Sequence, residues 1–227
     1  MIAKKLLATI MMLDFTSIVP YMPLLIKGAL VTIQFSVLAL FFGTIFGVFI
    51  GTMRIAPNRI MSSIAASYIY VIRGTPLLIQ LYFIYFGLPS IGIYLSAFVS
   101  GVLGLTINAA GYIGEIVRGG VEAIPKGQWE AGKVLGLSHD KTLRFIILPQ
   151  ALRNMLPPLG NEFVTLIKES SLLSTIAILE LTMAGQQIRS KTFAAFETFI
   201  VIGLIYLIMT SVTSLLLRQI EKRWNVN

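Results

Sequence analysis

The chain has 227 residues, of which 56% are hydrophobic and only 12% charged, and its mean hydropathy is +0.84. Soluble domains carry about 25% charged residues, so this composition excludes a water-covered globular protein and makes lipid the main solvent. The net charge of +8 does not indicate nucleic acid: the basic residues lie between apolar blocks with no interleaved aromatics, as loops beside membrane spans do.

With no cysteine and a single histidine, His139, disulfide and thiol chemistry are excluded and a zinc site is not expected. In chain order, residues 1–22 begin like a signal peptide at Lys4-Lys5, but Asp14 and Pro20 follow without a small-residue cleavage site. The segment is expected to stay in the mature chain as an amphipathic stretch at the membrane surface.

A helix crosses the hydrocarbon core with about 20 apolar residues. Spans are therefore expected at about 24–53, 60–88, 95–117, 155–177 and 196–217. The fold class is an all-α membrane protein of about five transmembrane helices, one domain over residues 1–227. In the first span Gly43, Gly47 and Gly51 make two overlapping Gly-x-x-x-Gly steps. They form either a groove for another helix or ordinary membrane-helix glycine. Pro76, just after Arg73-Gly74-Thr75, is expected to kink the second span.

Residues 118–153 hold most of the charge and cannot cross lipid. Gln128 to Leu135 reads as a short helix that Gly136 ends in a left-handed conformation. Ser138 caps a second helix running to about Leu148, with Leu143, Ile146 and Ile147 on one side and Lys141 and Arg144 on the other. Pro149 is expected to end or bend it. The unit is either a rigid knob that docks through small residues near Ala131 and Gly132, or an amphipathic hairpin resting on headgroups. Assigning eleven Lys and Arg residues to the inner side and five to the outer places the N-terminus outside and the C-terminus and this loop in the cytoplasm.

Charges inside spans are costly and mark pathways. Glu162, Thr165 and Glu169 share one face of the fourth span, as do Asn108, Tyr112 and Glu115 of the third, and Arg73 precedes the kink. A free amino acid presents an ammonium and a carboxylate. Glu162 is assigned to a cationic group and Arg73 with Asn108 to the carboxylate. The other reading is that Arg73, Glu115, Lys168 and Glu169 pair with one another to hold the bundle. No Gly-x-x-x-x-Gly-Lys-Ser/Thr cradle occurs, so this chain lacks the usual means of binding ATP.

Glu130-Ala131-Gly132, then Gly136, then Ile146-x-Leu148-Pro149, resembles the signature loop of the permease subunits of ATP-binding-cassette importers, with Gly132 in place of the more usual second alanine. Arg73-Gly74-Thr75-Pro76, Gly114-Glu115-Ile116-Val117-Arg118-Gly119-Gly120, Leu148-Pro149-Gln150-Ala151 and Lys168-Glu169-Ser170-Ser171-Leu172 are similar to the branch importing histidine, glutamine and arginine. The match covers about residues 20–220. The resemblance implies a type I importer permease, non-catalytic itself, in the plasma or inner membrane. Its loop would couple to a cytoplasmic ATPase dimer through Gln128, Glu130, Ala131, Gly132, Leu135 and Gly136. A second permease copy, with a homodimer favoured over a homologous partner, and an extracytoplasmic amino-acid-binding protein would complete the complex. ATP and magnesium would be used by the partner, with no cofactor on this chain. The rival reading is an ion-coupled secondary amino-acid transporter, which leaves the loop unexplained and expects an internal repeat that is not visible.

Overall fold

The computed structural model describes residues 14–224, so most of the expected surface segment 1–22 lies outside the described residues. Asp14 caps a tight helical turn, Phe15–Tyr21, by accepting from the Thr16 amide at 2.9 Å. Helix α1, Met22–Ile55, comes next with Pro23 in its first turn and ends before Pro57, which holds Ala56 in an extended conformation. Asn58 then caps α2, Arg59–Gly74, accepting from the Ile60 and Met61 amides.

The expected kink at Pro76 is instead a break. Thr75 is fully extended (φ −119°, ψ 141°), and α3, Leu77–Tyr82, leaves at a bend of 101° from α2. Proline both disfavours helix in the residue before it and removes a backbone donor, so two consecutive penalties at Thr75 and Pro76 end the helix. Gln80 supplies the missing donors: its Nε2 donates to the Ile72 carbonyl at 2.9 Å and to Thr75 Oγ1 at 2.9 Å. A wide turn, Phe83–Gly87, and a tight one, Leu88–Ile91, lead through left-handed Gly92 to α4, Ala97–Glu122, capped by Ser96.

Helix α4 is the centre of the bundle: 61% of its apolar window is buried, against 28% for α1 and 6% for the last helix. Gly43, Gly47 and Gly51 of α1 lie against Ala109, Ile113 and Val117 of α4 in that order, so the two helices run parallel. A side chain on Gly47 would begin 2.6 Å from Ile113 Cβ, which decides the glycine steps in favour of close packing.

Helix α5, Lys126–Val134, ends on Gly136 (φ +73°), where the Leu137 amide bonds to the Gly132 carbonyl and the Gly136 amide to that of Lys133. Ser138 caps α6, His139–Thr142. Pro149 neither ends nor breaks the chain's helical path. A wide turn over Leu143–Ile147 absorbs the proline, and α7, Leu148–Glu169, runs on from it with Pro157 and Pro158 inside. After the tight turn Ser170–Ile176 come α8, Leu181–Thr192, and α9, Ala195–Arg223.

The Phe15–Ile55 stretch, α4 and α9 are long and apolar enough to cross a membrane, and α2 with α3 makes a fourth candidate if the bent pair counts as one. Helix α7 carries Glu162, Lys168 and Glu169 within its length. The main core joins α4 to α1, α3 and α7 through Phe35, Leu81, Leu105, Ile113, Met155 and Leu166. A second core, Ile18, Leu25, Leu181, Ala184, Ile188 and Ile202, packs α8 between the start of α1 and α9.

Candidate functional site

Two constellations stand out, one inside the bundle and one on the α5–α6 projection. In the bundle, Arg73 at the end of α2 forms an ion pair with Glu115 of α4 at 3.5 Å, and its guanidinium lies 5.4 Å from the centre of the Tyr112 ring. Glu115 is also held by Arg118 at 2.6 Å, and Arg118 continues to Glu122. Arg73, Tyr112, Glu115 and Arg118 line a cavity of about 560 Å³ together with Arg54, Ile69 and Tyr70. The chain of alternating charges fits the pairing reading for Arg73 and Glu115. It does not extend to Lys168 or Glu169, which form no ion pair among the described residues.

Asn108 is buried on α4 and donates through Nδ2 to Gln80 Oε1 at 3.1 Å. The orientation of both amides follows from the Ile72 carbonyl, which can only accept and therefore faces Gln80 Nε2. Asn108 Oδ1 is thus left buried without a partner. Arg73 is engaged by Glu115, and Asn108 has one Nδ2 hydrogen left beyond its bond to Gln80 with which to serve a substrate carboxylate.

On α7 the buried Glu162 has no partner at Oε1, and Glu169, seven residues on, has none at Oε2. Thr165 lies half-buried between them. Buried polar atoms are normally satisfied. Here the orphaned atoms on Asn108, Glu162 and Glu169 are acceptors, while those on Ser100 and Thr106 of α4 are hydroxyls that can also donate. The open carboxylate oxygens of Glu162 and Glu169 are of the kind that accept from N–H groups.

In the projection, Trp129 and His139 stack at 5.0 Å with 16° between ring planes, fixing α5 on α6. Gly132 faces inward, not outward as expected, because a side chain there would begin 2.6 Å from Thr142 Oγ1. Its role is to let α5 sit on α6. The outward surface consists of Glu130, Ala131, Leu135 and Gly136. Gln128 is exposed and within 3.4 Å of Gln150 Nε2. Val134, 88% exposed, and Leu135, 72% exposed, make a bare apolar tip. Val134 was not singled out in the sequence, although an apolar pair directly before the helix-ending glycine is the signal that marks it.

Gln80 was likewise missed; its cue is a lone amide in the apolar run Leu77 to Leu81. So was Glu180, which is completely buried, caps α8 by accepting from the Thr182 and Met183 amides at 2.8 Å each, and takes the Tyr206 hydroxyl at 2.9 Å.

A bent helix pair, a buried polar seam and a braced helical knob in one apolar bundle define a permease, the membrane-spanning class of transport subunit. The chain belongs to the family of binding-protein-dependent transport system inner membrane components, which it matches over residues 43–226. It is 44% identical over 218 residues to the glutamine transport system permease protein GlnP of Escherichia coli K12, covering 95% of this chain and all of that one. It is 34% identical to the arginine transport system permease protein ArtQ of Bacillus subtilis, over 96% of this chain and all of that one. The nopaline transport system permease protein NocM of Agrobacterium fabrum is 38% identical, over 95% of this chain and 92% of that one. Among solved structures, an amino acid ABC transporter crystallised with histidines superposes with a TM-score of 0.89 at 44% identity, covering 92% of this chain and 98% of that one. The inward-facing MetNI methionine ABC transporter, at 21% identity and a TM-score of 0.77 over 90% of this chain and 98% of that one, shares the fold. The fold is that of type I importer permeases, and the protein is a multi-pass inner-membrane subunit.

Proposed function

We propose that this permease carries polar, cationic or amide-bearing amino acids inward, with Glu162 receiving the cationic or N–H-bearing end of the solute. The observation that carries the assignment is the buried Glu162 carboxylate with an unpartnered oxygen, in register with the unpartnered oxygen of Glu169. Relatives named for glutamine, arginine and nopaline transport support a cargo of this chemistry. The Arg73–Glu115–Arg118 chain braces the end of α2 against α4 beside the pathway. An ion-coupled secondary transporter is not favoured, since the knob is left without a purpose in it.

Energy comes from a separate ATPase dimer that grips the outward surface of α5, and solute arrives on an extracytoplasmic binding protein. A second copy of this chain completes the pathway. Closure of the ATPase pair moves both knobs and shifts the bundle between two access states, each stabilised by a different ligand. The N-terminus lies outside and the C-terminus in the cytoplasm.

The test is reconstitution with the ATPase and the binding protein, measuring which amino acids stimulate hydrolysis and are taken up. Glu162→Ala is expected to abolish uptake of cationic amino acids while the complex still assembles. Normal uptake by the variant overturns the Glu162 assignment, and uptake that follows an ion gradient without ATP overturns the importer.

A further inference from the structure

The cytoplasmic end of α9 and the start of α7 border an open cavity of about 450 Å³ lined by Pro149, Leu152, Arg153, Arg223 and Trp224. Arg153 and Arg223 form no ion pair among the described residues. The nearby carboxylate Glu221 is two residues from Arg223 and so on a different side of α9. Its Oε1 is turned towards Gly160 of α7, 3.6 Å from where a side chain there would begin. Two guanidinium groups therefore face a cavity with no carboxylate in its lining among the described residues.

The depth of the cavity identifies what can fill it. Residues 198–217 of α9 are uncharged and Arg218 is the first charge after them. Arg223 lies five residues further, about 8 Å along the helix axis at about 1.5 Å per residue. The headgroup layer on each side of the hydrocarbon core is roughly 5–8 Å thick, so Arg223 reaches phosphate level, and Trp224 is the residue type that anchors there. Leu216, Ile220 and Trp224 succeed one another every four residues and are 56%, 49% and 56% exposed. They make an apolar ridge running from the bilayer to the mouth of the cavity. An acyl chain can lie along that ridge while its phosphate sits between the arginines.

We propose that Arg153, Arg223 and Trp224 form a headgroup site for an anionic phospholipid of the cytoplasmic leaflet. Each guanidinium presents paired N–H donors suited to phosphate oxygens, and basic pockets at the cytoplasmic surface retain anionic lipid. The ridge favours a lipid over an acidic protein surface, which needs no apolar track. The proposal rests on the cytoplasmic placement of the C-terminus. Lipid retention is read on the purified transporter and is independent of that placement.

The test is native mass spectrometry of the assembled transporter from micelles doped with phosphatidylglycerol or phosphatidylcholine. Phosphatidylglycerol is expected to be retained preferentially. Its retention should fall about thirtyfold in the Arg153→Gln/Arg223→Gln variant, as two surface-level charges are lost. The charge-keeping Arg153→Lys/Arg223→Lys variant should hold most of it, and if the glutamine pair fails to fold the single Arg153→Gln and Arg223→Gln variants carry the test, each with a loss of about fivefold. Equal retention of both lipids, or displacement by inorganic phosphate as effective as by the lipid, overturns the site. So does loss of the ATPase subunit from the glutamine variant with lipid retention unchanged, which assigns the arginines to a protein contact.

Discussion

Glu162 and Glu180 are both buried carboxylates in this bundle, but their surroundings differ in kind. Glu180 accepts from two backbone amides and the Tyr206 hydroxyl, while Thr182 and Tyr206 also share a hydrogen bond at 3.0 Å. Such a group holds structure: it closes the first turn of α8 and ties that helix to α9. Glu180→Ala removes a helix cap and the hydrogen bond that ties α8 to the Tyr206 hydroxyl, a loss of about 2 kcal/mol. The expected result is a lower unfolding temperature for the purified protein, with Glu180→Gln in between; an unchanged melt removes the clasp reading. Glu162, with an oxygen left open, is the one arranged to receive something. In the sequence Glu162 announces itself, because a charge in an apolar run is costly wherever it sits. The partners that settle each carboxylate's role are far away in the chain: Tyr206 is 26 residues from Glu180, and Gln80 is 28 from Asn108. Local pattern carries no trace of pairings at that distance.

At the scale of elements, the ends of helices were legible because they are set by local chemistry. Gly136 and Ser138 each fix a backbone state within a residue or two. What the residues at Pro76 and Pro149 do to direction was not legible. Pro76 follows Arg73-Gly74-Thr75 and ends in a bend of 101°, while Pro149 follows Ile146-Ile147-Leu148 and is carried through by a wide turn. Gln80 bridges the first break with its side chain, a solution visible only in three dimensions. The knob depends on the same kind of detail. Gly132 must be small to admit Thr142, and Gly136 must be left-handed to turn the chain. Gly136→Val places a branched side chain at φ +73°, a local cost of about 1–2 kcal/mol that misdirects α5 while leaving the bundle intact. In reconstituted vesicles the permease should fold and assemble, but solute should no longer stimulate ATP hydrolysis. Glu130→Ala should act in the same direction through the docking surface. Solute-stimulated hydrolysis at the usual level in both variants sinks the coupling role.

At the scale of the molecule, direction through the membrane follows from packing as well as charge. The parallel run of α1 against α4, seen in the ordered contacts of Gly43, Gly47 and Gly51, requires both helices to cross the same way. The knob comes directly after the end of α4, so it lies on the same side as the end of α1 at Arg54, and Tyr94, just before α4 begins, lies on the other. On the proposed orientation, the side with the excess of Lys and Arg, which is the knob side, faces the cytoplasm. The chain has no cysteine, so single-cysteine variants report position without background. Tyr94, 80% exposed, and Val134, 88% exposed, are the natural sites. On intact cells a membrane-impermeant maleimide should label Tyr94→Cys and spare Val134→Cys. In inverted vesicles the pattern should reverse. Adding the ATPase subunit should then slow labelling of Val134→Cys, because the apolar tip becomes the floor of the docking contact. Labelling of Val134→Cys on intact cells turns the knob outward and separates it from any cytoplasmic motor; labelling unaffected by the ATPase leaves the tip without its partner even if the orientation stands.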